Sequence, residues 1–240
     1  MQFFTRSHIG KVRRENQDFL ATDNSKGFAI VADGIGGENF GGVASKMAVD
    51  SCLAYLNDID LKDLVHDYEH HLVNAIKYAN DEIITVQRNE PKYARMGSTL
   101  TCFGFNNGYL HYAWVGDSRI YKINPERDSL VMLSKDHTLD KSKIDPQLAP
   151  NLYKRANSIL TQNVGSILLL KPDQGSCIVE RGDIILSCTD GLSDRVEDGL
   201  ILEFAKNHFE LDGLADKLLE RALDCGGQDN ISFILNRVDY

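Results

Sequence analysis

Five aspartates in this 240-residue chain stand where apolar runs meet turns. Asp33 closes "AIVAD", Asp190 closes "LSCTD" with Asp194 four residues on, Asp117 follows "AWVG", Asp229 precedes "NISFIL", and Asp18 heads "DFLATD". Any one of them is easily a turn residue or a helix cap. Together they suggest carboxylates converging at one end of a sheet. Such a cluster repels itself unless cations neutralise it. Carboxylates without His or Cys favour hard ions, Mg²⁺ or Mn²⁺. Two such ions about 3.5–4 Å apart can orient an attacking hydroxide and neutralise the oxygens of a phosphate ester. An arginine should complete the site, because its planar fork matches phosphate. "KVRREN" runs straight into Asp18, so Arg13 or Arg14 is available.

Competing chemistries fail on spacing. "GIGGENFGG" after Asp33 places Asn39 where a dinucleotide fingerprint needs its third glycine, and Gly42-Val43 where a P-loop needs Lys and Ser/Thr. Cys188 and Arg195 have six residues between them, one too many for a cysteine phosphatase. Asp58-Ile59-Asp60 lies at a helix end and reads as a solvated loop rather than an aspartyl-phosphate site. His66 and His70 share an i, i+4 spacing without a third ligand. His137 reads as a loop hydrogen-bonder and Trp114 as core.

The elements that must position these residues follow from periodicity. Strands are predicted at "QFFTRSH", "DFLATD", "GFAIVAD", "STLTCFGF", "YLHYAWV", "SRIYKIN", "SLVMLS", "SILLLK", "SCIVE", "DIILSCTD" and "NISFILNRV". Asn106-Asn107-Gly108 signals a hairpin. One helix carries Ala44, Met47, Ala48, Cys52, Tyr55 and Leu56 on a face; a second carries Leu64, Tyr68, Leu72, Ala75, Ile76, Ala79 and Ile83. Two more are predicted at about 197–207 and 212–224. Residues 134–160 read as irregular, with Pro146 and Pro150 as breakers. Many strands with helices in sequential pairs favour α+β over a doubly wound fold.

Composition sets the class. Hydrophobic residues make up 42% and charged residues 25%, an ordinary globular balance. A net charge of −9 disfavours nucleic acid. No apolar run reaches the roughly 20 residues of a membrane span, and the N-terminus lacks a signal-peptide core, so no membrane association and a cytoplasmic location are expected. Five cysteines (Cys52, Cys102, Cys177, Cys188, Cys225) without a C-x-x-C pair read as reduced thiols.

"GKVRRENQD", "VADGIGG", "MGSTL", "VGDSRIY", "CTDGLSD" and "GGQDNISFIL", in that order, resemble the protein phosphatase 2C (PPM) family across about Ser7 to Leu235. The resemblance implies a four-layer αββα sandwich of two mainly antiparallel sheets flanked by helix pairs, as one domain over 1–240. It implies metal-dependent hydrolysis of phosphoserine and phosphothreonine in proteins by a metal-bound water or hydroxide. Residue by residue, it implies that Asp33 bridges two Mn²⁺ or Mg²⁺ ions and that the Gly34 carbonyl helps hold one. Asp190 and Asp229 ligate the other, and Asp18 hydrogen-bonds the metal-bound water. Arg13 holds the phosphate, and Asp117 and Asp194, with Asp190, form a third and weaker metal site. The glycines of the Asp33 loop are expected to let backbone approach the ion. Substrates would be phosphoproteins, made by a Ser/Thr kinase, and the chain a monomer of bacterial stand-alone type. Two departures stand out: Ile35 occupies the place where eukaryotic members often have a histidine, leaving the leaving-group acid unassigned, and the flap over 134–160 is short, ending in "LTQNVG" where "LTRALG" is usual. The alternative is a phosphatase fold that has lost its metals and binds phosphoproteins as a regulatory module.

Overall fold

The computed structural model describes residues 2–36, 40–166 and 169–239. In chain order it contains β1 (Phe3–His8), β2 (Asp18–Asp23), β3 (Phe28–Ile35), α1 (Phe40–Asp58), α2 (Leu61–His66), α3 (Tyr68–Asn89), β4 (Gly97–Ser98), β5 (Leu100–Asn106), β6 (Tyr109–Val115), β7 (Arg119–Asn124) and β8 (Ser129–Met132). Then follow α4 (Pro150–Arg155), β9 (Asp173–Ile178), β10 (Ile184–Cys188), α5 (Asp190–Ser193), α6 (Asp198–Asn207), α7 (Leu211–Asp224) and β11 (Ile231–Arg237). One antiparallel sheet has the order β1-β11-β10-β7-β8. The other has the order β2-β3-β5-β6-β9, with β4 also on β3.

Strand alternation dictates the layers, because successive side chains point to opposite faces. In β3, Phe28, Ile30 and Ala32 face the core under α1 and α3, while Ala29 and Val31 face the other sheet. In β10 and β11, Ile184, Leu186, Cys188, Ile231, Phe233 and Leu235 face the core under α6 and α7, while Ile185 and Ile234 turn inward between the sheets. Three apolar layers therefore separate four structural ones, which is the αββα sandwich. Burying each Phe, Ile or Leu stabilises it by about 1.5–3 kcal/mol. Trp114 is core, as expected, and its indole N–H donates to the Lys135 carbonyl at 2.9 Å.

The structure corrects four expectations. The second helix is interrupted at Asp67, whose side chain accepts from the His70 N–H. His66 ends α2 and His70 lies in α3, so the pair does not share one helix. Pro150 breaks nothing: it occupies the first turn of α4, where its missing N–H has no intrahelical partner to lose. The strand over 166–171 is not formed in its described part, Ile167 and Leu168 lying outside the described residues, and β9 instead begins at Asp173. Loop residues 37–39, with Asn39 of the fingerprint argument, likewise lie outside them. Among the described residues no helix is long and apolar enough to cross a membrane. The cysteines form no disulfide; Cys52, Cys102 and Cys188 are buried, Cys177 and Cys225 half-buried.

Candidate active site

β2 and β3 pair antiparallel with Asp18 directly opposite Asp33. The Asp33 backbone is fixed on both sides. Its N–H donates to Thr99 Oγ1 at 2.9 Å, and its carbonyl accepts from Ser98 Oγ at 2.8 Å and from the Thr99 N–H at 2.9 Å. Thr99 Oγ1 also lies 2.7 Å from Ser118 Oγ, next to Asp117. One threonine thus relates two of the aspartates. The turn that carries Asp117 is clamped further by His137. The Gly116 N–H donates to His137 Nδ1 at 3.2 Å, and the His137 N–H donates to the Gly116 carbonyl at 2.9 Å.

The second sheet delivers the remaining carboxylates. β10 leads through Thr189, whose N–H donates to the Ser232 carbonyl at 2.9 Å and whose Oγ1 donates to Asp18 Oδ2 at 3.0 Å. Asp190 opens α5, and its carbonyl accepts from the Asp194 N–H at 2.8 Å. Asp229 stands just before β11. Its Oδ1 accepts from the Asn230 N–H at 2.8 Å, and its Oδ2 takes Arg13 Nη2 at 2.7 Å. The Asn230 amide donates to the carbonyls of Ile9 and Glu15, and its oxygen accepts from the Gln17 N–H. One side chain therefore pins both ends of the loop that carries Arg13.

Asp33, Gly34, Asp117, Asp190, Asp194, Asp229 and Arg13 all line one cleft of about 940 Å³, together with Arg14, Thr99, Arg195 and the flap-exit residues Ser158, Ile159, Leu160 and Asn163. Asp18 is the exception. It is buried and does not line this cleft. Residues 9–17 form turns and bends rather than an alternating strand, so both Arg13 and Arg14 reach the cleft. Thr99, Thr189, Asn230, His137 and Arg195 were not identified as site residues. The hydroxyls sit inside quoted motifs, "MGSTL" and "CTDG", but only the fold brings them to their carboxylates.

Burial, above all, holds protons on these acids. Asp18 is pushed up to about 7 by burial, with the Asp190 and Asp229 charges adding and hydrogen bonds from Ser232 and Thr189 opposing. Asp117 is pushed up to about 7 by burial and then by Asp190 and Asp136. Asp190 is pushed up to about 6 by burial and then by Asp229 and Asp194, against hydrogen bonding with Asp33 and the charge of Arg13. Asp33 is held well above the carboxylate range by burial and by Asp18, Asp190, Asp229 and Asp117.

This donor set fits hard divalent cations. Asp18 Oδ1 and Asp190 Oδ1 are buried without a hydrogen-bond partner, a cost that a cation would relieve. Among the described residues no three His, Cys, Asp or Glu side chains form a ready-made metal cage; the carboxylates line an open cleft instead.

The model of the family described as protein phosphatase 2C matches residues 6–224. Protein phosphatase PhpP of Streptococcus pneumoniae is 29% identical over 241 residues, covering 98% of this chain and 96% of its own length. Serine/threonine protein phosphatase PstP of Mycobacterium tuberculosis is 32% identical over 250 residues, all of this chain but 46% of its own. The crystal structure of the M. tuberculosis phosphatase PstP/Ppp superposes with a TM-score of 0.85 at 31% identity, covering 100% of this chain and 99% of that one. A PstP catalytic domain in complex with two manganese ions gives 0.83 at 29% identity, covering 100% and 98%.

Proposed function

Because the chain belongs to the protein phosphatase 2C family, we propose that it is a metal-dependent phosphatase that releases phosphate from phosphoserine and phosphothreonine in proteins. The observation that carries the reading is the convergence of Asp33, Asp117, Asp190 and Asp229 with Arg13 in one cleft, with a carboxylate oxygen of Asp190 buried and unpartnered.

Asp33, the Gly34 carbonyl, Asp190 and Asp229 would hold two Mn²⁺ or Mg²⁺ ions, and Asp117 and Asp194, with Asp190, a third. When bound, the ions neutralise the phosphoryl oxygens and acidify a water that attacks phosphorus. The chain's own groups do the rest. Asp18 spends Oδ2 on Thr189 and keeps Oδ1 free to accept a hydrogen bond from that water. Arg13, held by Asp229 at 2.7 Å, retains further N–H donors for the substrate phosphate. Thr99 holds the backbone of Asp33, and His137 holds that of Gly116 next to Asp117, so that the two carboxylates keep their relative place. No histidine lines the cleft among the described residues, so the proton for the leaving oxygen comes from water or a carboxyl group.

All six carboxylates are present, which favours this reading over an inactive binding module. The kinase-made phosphoproteins expected as partners belong to the same proposal. The test is phosphate release from a phosphothreonine peptide with Mn²⁺ and after exhaustive chelation. Release is expected only with the ion; full activity after chelation, or none in either state, overturns the reading.

A further inference from the structure

The geometry points to Arg195 as a substrate-binding residue that grips an anionic group of the phosphopeptide. The inference rests on the phosphatase reading above.

Arg195 follows Asp194 at the end of α5, and its N–H donates to the Leu192 carbonyl at 3.0 Å. Its side chain is half-buried and lines the same cleft as Asp33, Asp117 and Asp190. Its Nε is shielded from solvent and has no hydrogen-bond partner. No carboxylate lies within ion-pair distance of it among the described residues, although five aspartates share its cleft. The other well-placed arginines are committed: Arg6 to Asp212 and Asp216, Arg13 to Asp229, Arg119 to Asp136, Arg127 to Glu180. A shielded guanidinium donor without an acceptor is unfavourable until one arrives. The acceptor it fits is a pair of anionic oxygens, which its fork binds bidentately. On a phosphopeptide that pair belongs to the scissile phosphate or to a carboxylate flanking it.

The experiment compares wild type, Arg195→Ala and Arg195→Lys, saturated with Mn²⁺. The substrates are p-nitrophenyl phosphate and two phosphothreonine peptides, one with neutral and one with glutamate flanks. Because the side chain makes no hydrogen bond among the described residues, Arg195→Ala should keep the wild-type Tm and Mn²⁺ titration. Its kcat/KM should fall about tenfold or more, mainly through KM, for the loss of one bidentate charged contact. Arg195→Lys should restore only part, since it keeps the charge and loses the fork. An equal fall on all three substrates identifies the phosphate as the partner; a fall confined to the glutamate-flanked peptide identifies the carboxylate. Activity within twofold of wild type on every substrate overturns the inference, as does a fall accompanied by lost Tm or Mn²⁺ binding, which marks a structural role. If wild type itself releases no phosphate, the phosphatase reading fails first.

Discussion

Two strand ends carry the same pattern, Asp33-Gly34 and Asp190-Gly191, yet they are held differently. Asp33 stays within β3, with its backbone bonded to Ser98 and Thr99 of a neighbouring segment. Asp190 leaves β10 and starts a short helix whose next turn, at Asp194, is exposed. The glycines of both motifs also serve packing. A Cβ at Gly34 would stand 2.1 Å from the Gly41 carbonyl oxygen, and one at Gly191 would stand 1.8 Å from the Asn230 carbonyl oxygen. Both lie at backbone crossings where no side chain fits. The comparison teaches that a repeated Asp-Gly reports two close crossings, one inside a ladder and one at a strand-to-helix corner, that converge on one cleft.

Substitution should break this pairing unequally. Asp33→Asn should lower kcat by about a thousandfold or more, about 4 kcal/mol of transition-state stabilisation, with the fold intact by circular dichroism. Asp194→Asn, at the exposed end of the second motif, should cost far less. Steady-state kinetics at saturating Mn²⁺ decides, and comparable losses would erase the distinction. Next in size, Arg13→Ala should lower kcat/KM about tenfold to a hundredfold, from about 1.5–3 kcal/mol for a charge-assisted hydrogen bond. Arg14→Ala should stay within about twofold, since that exposed side chain has no ion pair among the described residues; a larger loss there would reverse the two roles.

Stability sharpens the same contrast. Gly34→Ala and Gly191→Ala should each cost about 1–3 kcal/mol or more through overpacking. Gly199→Ala, in α6 with nothing near its added carbon, should gain about 0.5–1 kcal/mol. Thermal unfolding of the three variants measures this, and an unchanged Tm for Gly191→Ala would mean that the crossing yields. The smallest effect is on pH. Asp18 and Asp117 near 7 and Asp190 near 6 lie above the ordinary carboxylate value of about 4. Between about pH 4 and 7 the folded metal-free chain therefore binds more protons than the unfolded one, and its stability falls as pH rises through that window. Tm of the chelated protein should decline from pH 5 to 7.5, and Mn²⁺ should reverse the decline at the upper end.

Much of this was readable from local pattern. The hairpin at Asn107-Gly108 forms with positive φ at both residues, and the alternation of β3, β10 and β11 sorted their side chains between layers. The carboxylates were found because an acid at the end of an apolar run is costly unless used. What was hidden depends on distance along the chain. The break at Asp67 is invisible to periodicity because Leu64, Tyr68 and Leu72 are buried on both sides of it. Thr189 touches Asp18 across 171 positions, and Asn230 meets Gln17 across 213. No window of sequence contains such pairs.

Asn230 has a consequence for the order of folding. The loop bearing Arg13 is clamped at Ile9, Glu15 and Gln17 by a residue more than 210 positions further along the chain, beside the strand that pairs with β1. Loops of this span close late, after local structure has formed. The loop that carries Arg13 is therefore expected to set only once β11 has paired with β1, late in folding.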